Sequence, residues 1–174
     1  MAPRYQLARR RAVEVLEKAR ITKAPVPVEK IANLLGAQTV YEPFSGELSG
    51  FARRNSDGTG TIGVNSLHSS TRQRFTIAHE IGHLLLHASE NLHVDENFPI
   101  GLRSGISGKA IDEREIEANQ FAAELLMPTD FLKKDVIPLI GMDAVRAIEK
   151  LAMKYRVSKE AMSVRLTALR YVEL

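Results

Sequence analysis

Hydrophobic positions in residues 4–20 recur at roughly helical spacing. Leu7, Val13 and Leu16 sit among Arg and Glu there, and the pattern predicts an amphipathic helix. Pro25 and Pro27 close that stretch. Residues 28–35 predict a second short helix that stops at Gly36, where glycine suits the left-handed cap position. The pattern then changes period. Runs at 39–41, 48–53 and 61–64 are short and rich in β-formers, and Pro43, Gly46 and the turn signal Asn55-Ser56-Asp57-Gly58 separate them. They predict a small antiparallel sheet, whose run at 61–64 leads towards the next helix.

Helical spacing returns at Ser70-Thr71-Arg72-Gln73, which has the form of a capping box. The helix that follows is expected to reach Leu86 or His87. It is apolar on nearly every side from Ile81 to Leu86, the mark of a buried helix. Residues 88–111 contain Pro99, Gly101, Gly105 and Gly108 and predict a long irregular loop, of a length that is usually functional or disordered in compact domains. Another helix over residues 112–127 stops before Pro128, and two or three more fill the chain to Leu174. No internal repeat or low-complexity tract is present.

These elements define an α+β chain, a small sheet packed on a helix pair with further helices at both ends. With 174 residues, 44% of them hydrophobic, there is material for one compact core. A main domain over residues 1–135 and a C-terminal helical subdomain over 136–174 are expected. The absence of cysteine excludes disulfides and thiolate metal sites, so any metal is left to His, Asp or Glu. The charged N-terminus lacks the apolar core of a signal peptide, and no apolar run approaches the roughly 20 residues of a membrane span. A soluble cytoplasmic protein is expected. The net charge of +3 is unevenly spread. Residues 1–23 carry seven Lys/Arg against two Glu and residues 145–174 seven against three, which leaves 10 basic and 16 acidic residues between them. Basic ends suit nucleic acid or an acidic partner, and equally suit solvated helix faces.

The sequence His79-Glu80-Ile81-Gly82-His83 falls inside the helix that starts near Ser70. Residues four apart share a helix face, so His79 and His83 can meet one metal ion, while Glu80 points beside it as a general base. Shuffling this composition gives roughly 0.01 such matches per chain, so chance is a poor explanation. Two core histidines satisfied by hydrogen bonds are the bland alternative, and burying them with a carboxylate is costly without a strong partner.

A catalytic zinc takes three protein ligands and leaves one position open. Glu115 and Asn119, four apart on the following helix, can supply a ligand and a brace for a ligand histidine. Glu117 lies about 200° round the helix from Glu115 and should face away, which makes Glu115 the choice and Glu117 the fallback. Gly82, Ala118, Ala122 and Ala123 are small enough to let the two helices approach closely. His87 and His93 are candidates for an additional oxyanion donor.

The segment from Arg74 through His79-Glu80-Ile81-Gly82-His83 to His87, followed by Glu115-x-Glu117-Ala118-Asn119 and Phe121 to Pro128, resembles the ImmA/IrrE family of metallo-endopeptidases. The likeness is dense over residues 61–130. It implies a zincin-like catalytic domain with His79, His83 and Glu115 as ligands of zinc and Glu80 as the catalytic residue. Manganese and iron also accept a two-histidine, one-carboxylate set. Zincins of the glutamate type carry Asp or Asn four residues after the ligand Glu, the place of Asn119 here. The resemblance further implies a protein substrate, a helix-turn-helix transcription repressor whose cleavage releases a stress or mobile-element response.

A DNA-binding regulator is the rival class, and a toxin component is a third. Residues 151–166 read as a helix-turn-helix with Val157-Ser158 at the turn and a basic second helix. The alternative is a helical hairpin packed on the core and capped at Ser158. Val157, Ala161, Val164, Leu166 and Leu169 favour the hairpin, because they leave few side chains for bases.

Overall fold

The computed structural model describes residues 3–45, 48–87, 92–95 and 113–171. The first of the sequence's hydrophobic stretches forms α1 (Tyr5–Lys18), but its buried face is Ala8, Ala12, Val15 and Leu16. Val13 is exposed, and the small alanines let α1 lie against the helix α4 (Glu113–Leu126). Then come α2 (Val28–Leu34) and the strands β1 (Ala37–Glu42), β2 (Gly50–Arg54) and β3 (Gly60–Asn65). Asn55-Ser56-Asp57-Gly58 makes the expected turn between β2 and β3. Gly58 takes φ +85°, and Asp57 accepts from the backbone N–H and hydroxyl of Thr59 at 2.9 and 2.7 Å.

The sheet corrects one expectation, because it is mixed and not purely antiparallel. Its order is β1-β3-β2-β4, where β4 (Leu92–Asp95) lies inside the stretch expected as loop. β1 pairs with β3 in parallel, whereas β2 is antiparallel to both β3 and β4. The β2–β3 turn keeps those two strands adjacent, so β1 is left to pair on the far side of β3, running the same way. Residues 61–64 therefore occupy the centre of the sheet.

One face of the sheet carries α3 (Ser70–Leu86). Its cap is Ser69, whose hydroxyl accepts from Arg72 N–H at 3.4 Å, one residue earlier than the capping box places it. Gln73 turns instead to the carbonyls of Asn65 and Ser66, at 3.3 and 3.1 Å, and so ties the helix start to the end of β3. Every residue of α3 from Thr76 to His83 is buried, as a helix between the sheet and α4 must be. A close approach makes this possible: a Cβ on Gly82 would stand 3.2 Å from Ala118 Cα and 3.3 Å from Ala118 O. Ile62 and Val64 from the sheet, Ile77 and Ile81 from α3, and Phe121 and Leu125 from α4 form the centre of the core.

The chain continues through α5 (Thr129–Val136), a single 3-10 turn, α6 (Ala144–Tyr155) and α7 (Lys159–Ala168). Ser158 caps α7 by accepting from Ala161 N–H at 3.0 Å. Met162 and Leu166 of α7 are buried, and so is Arg165, which donates to the Glu124 carboxylate, to Met127 O at 3.1 Å and to Thr129 Oγ1 at 3.0 Å. Among the described residues no helix is long and apolar enough to cross a membrane.

Candidate metal centre

The four-residue spacing does what helical geometry requires. His79 Nε2 and His83 Nε2 stand 3.0 Å apart on the face of α3 that meets α4. From α4, Glu115 reaches both, with Oε2 at 3.3 Å from His79 and Oε1 at 3.2 Å from His83. A further ring arrives from β4, where His93 Nε2 lies 3.3 Å from Glu115 Oε1 and the ring stacks on His83 at 3.5 Å between centroids. One donor atom from each of these four residues lies within 4.8 Å of all the others.

The tautomer of His79 follows from its neighbour. Its Nδ1–H donates to Asn119 Oδ1 at 3.1 Å, which turns the Nε2 lone pair into the cluster. Burial pushes the His79 imidazole down, and pushes His83 down to about 4, in each case against a smaller opposing effect of Glu115. Both rings are therefore neutral at pH 7, the form that binds a cation. Neutral nitrogens and a carboxylate facing one another at 3.0–3.3 Å form a set of acceptors that a cation satisfies. Donors around a tetrahedral ion with bonds of about 2.0–2.1 Å stand about 3.3 Å apart, so these spacings suit a small divalent cation.

Glu80, next along α3, is fully buried and lies on the side towards β2. Gly50 lies beside it: a Cβ there would clash with Thr76 Cγ2 at 2.4 Å and Gly63 O at 2.6 Å, while standing at an ordinary contact distance of 3.6 Å from Glu80 Oε1. Glu117 faces away from the cluster, as the helical angle requires. It accepts from Arg4, from the backbone N–H at 2.7 Å and from the guanidinium at 2.8 and 3.0 Å. His87 also points elsewhere, its Nε2–H donating to Arg114 O at 3.2 Å. Of the two histidines considered as extra donors, only His93 reaches the cluster. Its strand escaped the sequence reading because polar His93 is turned to the site while apolar Leu92 beside it is 56% exposed.

A mixed sheet laid on a helix pair that presents histidines and a glutamate to one point defines a zincin-like fold with a cluster of donors that could hold a metal ion. The family model described as the IrrE N-terminal-like domain of the M78 peptidases matches residues 32–167, and the chain belongs to that family, the ImmA/IrrE family its motifs resemble. Membership points to a metallopeptidase. No curated protein matches the chain significantly. Among solved structures, a Mycobacterium tuberculosis transcriptional regulator is similar, at 16% identity and a TM-score of 0.58 over 93% of this chain. The chain spans 46% of that protein's length, and the likeness is one of fold.

Proposed function

We propose that this chain is a zinc-dependent endopeptidase in which His79, His83 and Glu115 hold the ion and Glu80 is the general base. The observation that carries the reading is the convergence of imidazole and carboxylate donors at 3.0–3.3 Å on a buried helix pair, with a buried glutamate one residue away from the first histidine. Manganese or iron fits the same donors. A divalent ion held there would supply Lewis acidity towards a scissile carbonyl and would make water acidic enough to lose a proton near neutral pH. The protein's own residues supply the rest. Asn119 fixes the His79 ring in the tautomer that offers Nε2, and Glu80 takes a proton at its carboxylate and returns it to the leaving amine. The fully buried setting of Glu80 shields that proton from bulk water.

The substrate in this reading is a cytoplasmic protein, a helix-turn-helix transcription repressor, on the strength of the family resemblance. The test is co-incubation with the product of the neighbouring regulator gene, read by intact mass with and without chelator. A cut at one or a few sites that chelator abolishes is expected. A regulator that stays intact under metal-replete conditions, with tight salt-dependent DNA binding by this chain, would replace the peptidase with a DNA-binding regulator.

A further inference from the structure

The reading above uses three protein donors, yet the geometry brings four. His93 is as close to Glu115 as the two helix histidines are, at 3.3 Å against 3.2 and 3.3 Å. It comes from a different element, and its direction is set by pairing. In the β2–β4 ladder His93 stands opposite Ala52, and Asp95 opposite Gly50. Opposed residues on paired strands point to the same face of a sheet. Gly50 faces Thr76 and Glu80 on α3, and Ala52, two residues on, shares that face and is buried. The β4 backbone therefore directs His93 at the cluster. Its side chain is 16% exposed, in keeping with a group held in the site.

From this we infer that His93 is a fourth protein ligand of the ion, so that the peptidase rests with its metal enclosed by His79, His83, Glu115 and His93; the inference rests on the metal-site reading above. Catalytic zinc sites keep a position open for water, whereas four protein donors close the shell. The same strand lies along β2 on the side away from β3, a place where an extended peptide could add to the sheet through main-chain hydrogen bonds. One element thus covers both the strand edge and the ion's last position. Water and substrate must compete with His93 and with β4, which pairs with β2 over only four positions. An oxyanion donor, the other role for this histidine, would stand off the ion and leave its affinity untouched.

The test uses the metal alone. Wild-type chain loaded with NMR-active cadmium, its imidazole nitrogens isotope-labelled, should show metal–nitrogen couplings to His79, His83 and His93. The His93→Ala variant should bind zinc at least tenfold more weakly in chelator competition, a loss no smaller than the 10–100-fold that removing an outer-shell partner of a metal ligand costs. Couplings to His79 and His83 alone, or unchanged zinc affinity in His93→Ala, would overturn the inference and leave the three-ligand peptidase standing. Wild-type chain that binds no ion would overturn both.

Discussion

Replacing Gly82 with alanine tests whether close approach of α3 and α4 builds the metal centre. The new methyl group would meet Ala118 Cα and Phe121 Cδ1 at 3.2 Å and Ala118 O at 3.3 Å. Ordinary carbon contacts lie at about 3.5–4.0 Å, so the helices must part by about half an ångström. Two of the three neighbours are backbone atoms of α4, which cannot turn aside as a side-chain end can. Overpacking of this kind costs about 1–3 kcal/mol, and alanine's better helix propensity recovers about 1 kcal/mol. The metal-free variant should therefore lose about 0–2 kcal/mol, or a few degrees of Tm at about 2–4 °C per kcal/mol. Metal binding should suffer more. Glu115 rides on α4, and donor distances tolerate only about 0.2 Å, so a shift of half an ångström pulls one ligand out of place. Chelator competition should show zinc affinity down about tenfold or more, equivalent to about 1.4 kcal/mol. Affinity within about twofold of wild type, with melting unchanged, would refute the argument that this contact sets the position of Glu115.

Glu80→Gln should keep fold and metal while the cleavage rate falls about 10²–10⁴-fold, since an amide cannot take the proton; single-turnover assays check this. Glu115→Ala should lose the ion by elemental analysis. Glu117→Ala should keep it and lose about 1–2 kcal/mol, because Glu117 holds the half-exposed Arg4. Burial alone would raise the Glu124 carboxyl, yet Arg165 and Thr129 outweigh it and leave it lowered. A carboxyl lowered in the folded state adds stability that is present above its unfolded value of about 4.3 and fades as pH falls through the lower folded value. Urea unfolding from pH 6 to pH 3 should show that loss. Arg165→Met should cost about 1–3 kcal/mol at pH 7 and shrink the acid limb, because Glu124 then keeps only the half-exposed Arg9, at 3.3 Å, and Thr129 as partners.

What the sequence made legible was local. Four residues along a helix bring His79 and His83 together, and two more along the next helix turn Glu117 from Glu115 by about 200°; both relations follow from helical pitch alone. The parallel pairing of β1 with β3 is not local, because it depends on which side of the β2–β3 turn an earlier strand lies. The inward face of α1 was hidden for a different reason. Ala8 and Ala12 carry little hydrophobic signal beside Leu7 and Val13, although close packing selects them. His93 was named as a candidate donor, but its strand was not, since an inward polar His93 beside an exposed apolar Leu92 runs against the pattern by which strands are recognised. Arg165, read as part of a basic helix, turns inward because Glu124 waits on α4, a pairing 41 residues apart.

Three of the four acidic side chains of helix α4 have separate destinations: Glu115 goes to the histidines, Glu117 to Arg4 near the N-terminus, and Glu124 to the buried Arg165 on α7, with Arg9 of α1 beside it. A substitution can disconnect these one at a time, but a change of length cannot. Inserting or deleting one residue between Glu117 and Glu124 turns one part of the helix about 100° against the other. Whichever part keeps its seat, either the cluster and Arg4 or the buried cation of α7 loses its partner. Lineages of this chain should therefore accept many amino-acid exchanges along α4 and very few indels, so that the spacing from Glu115 to Glu124 drifts far less than the residues between them.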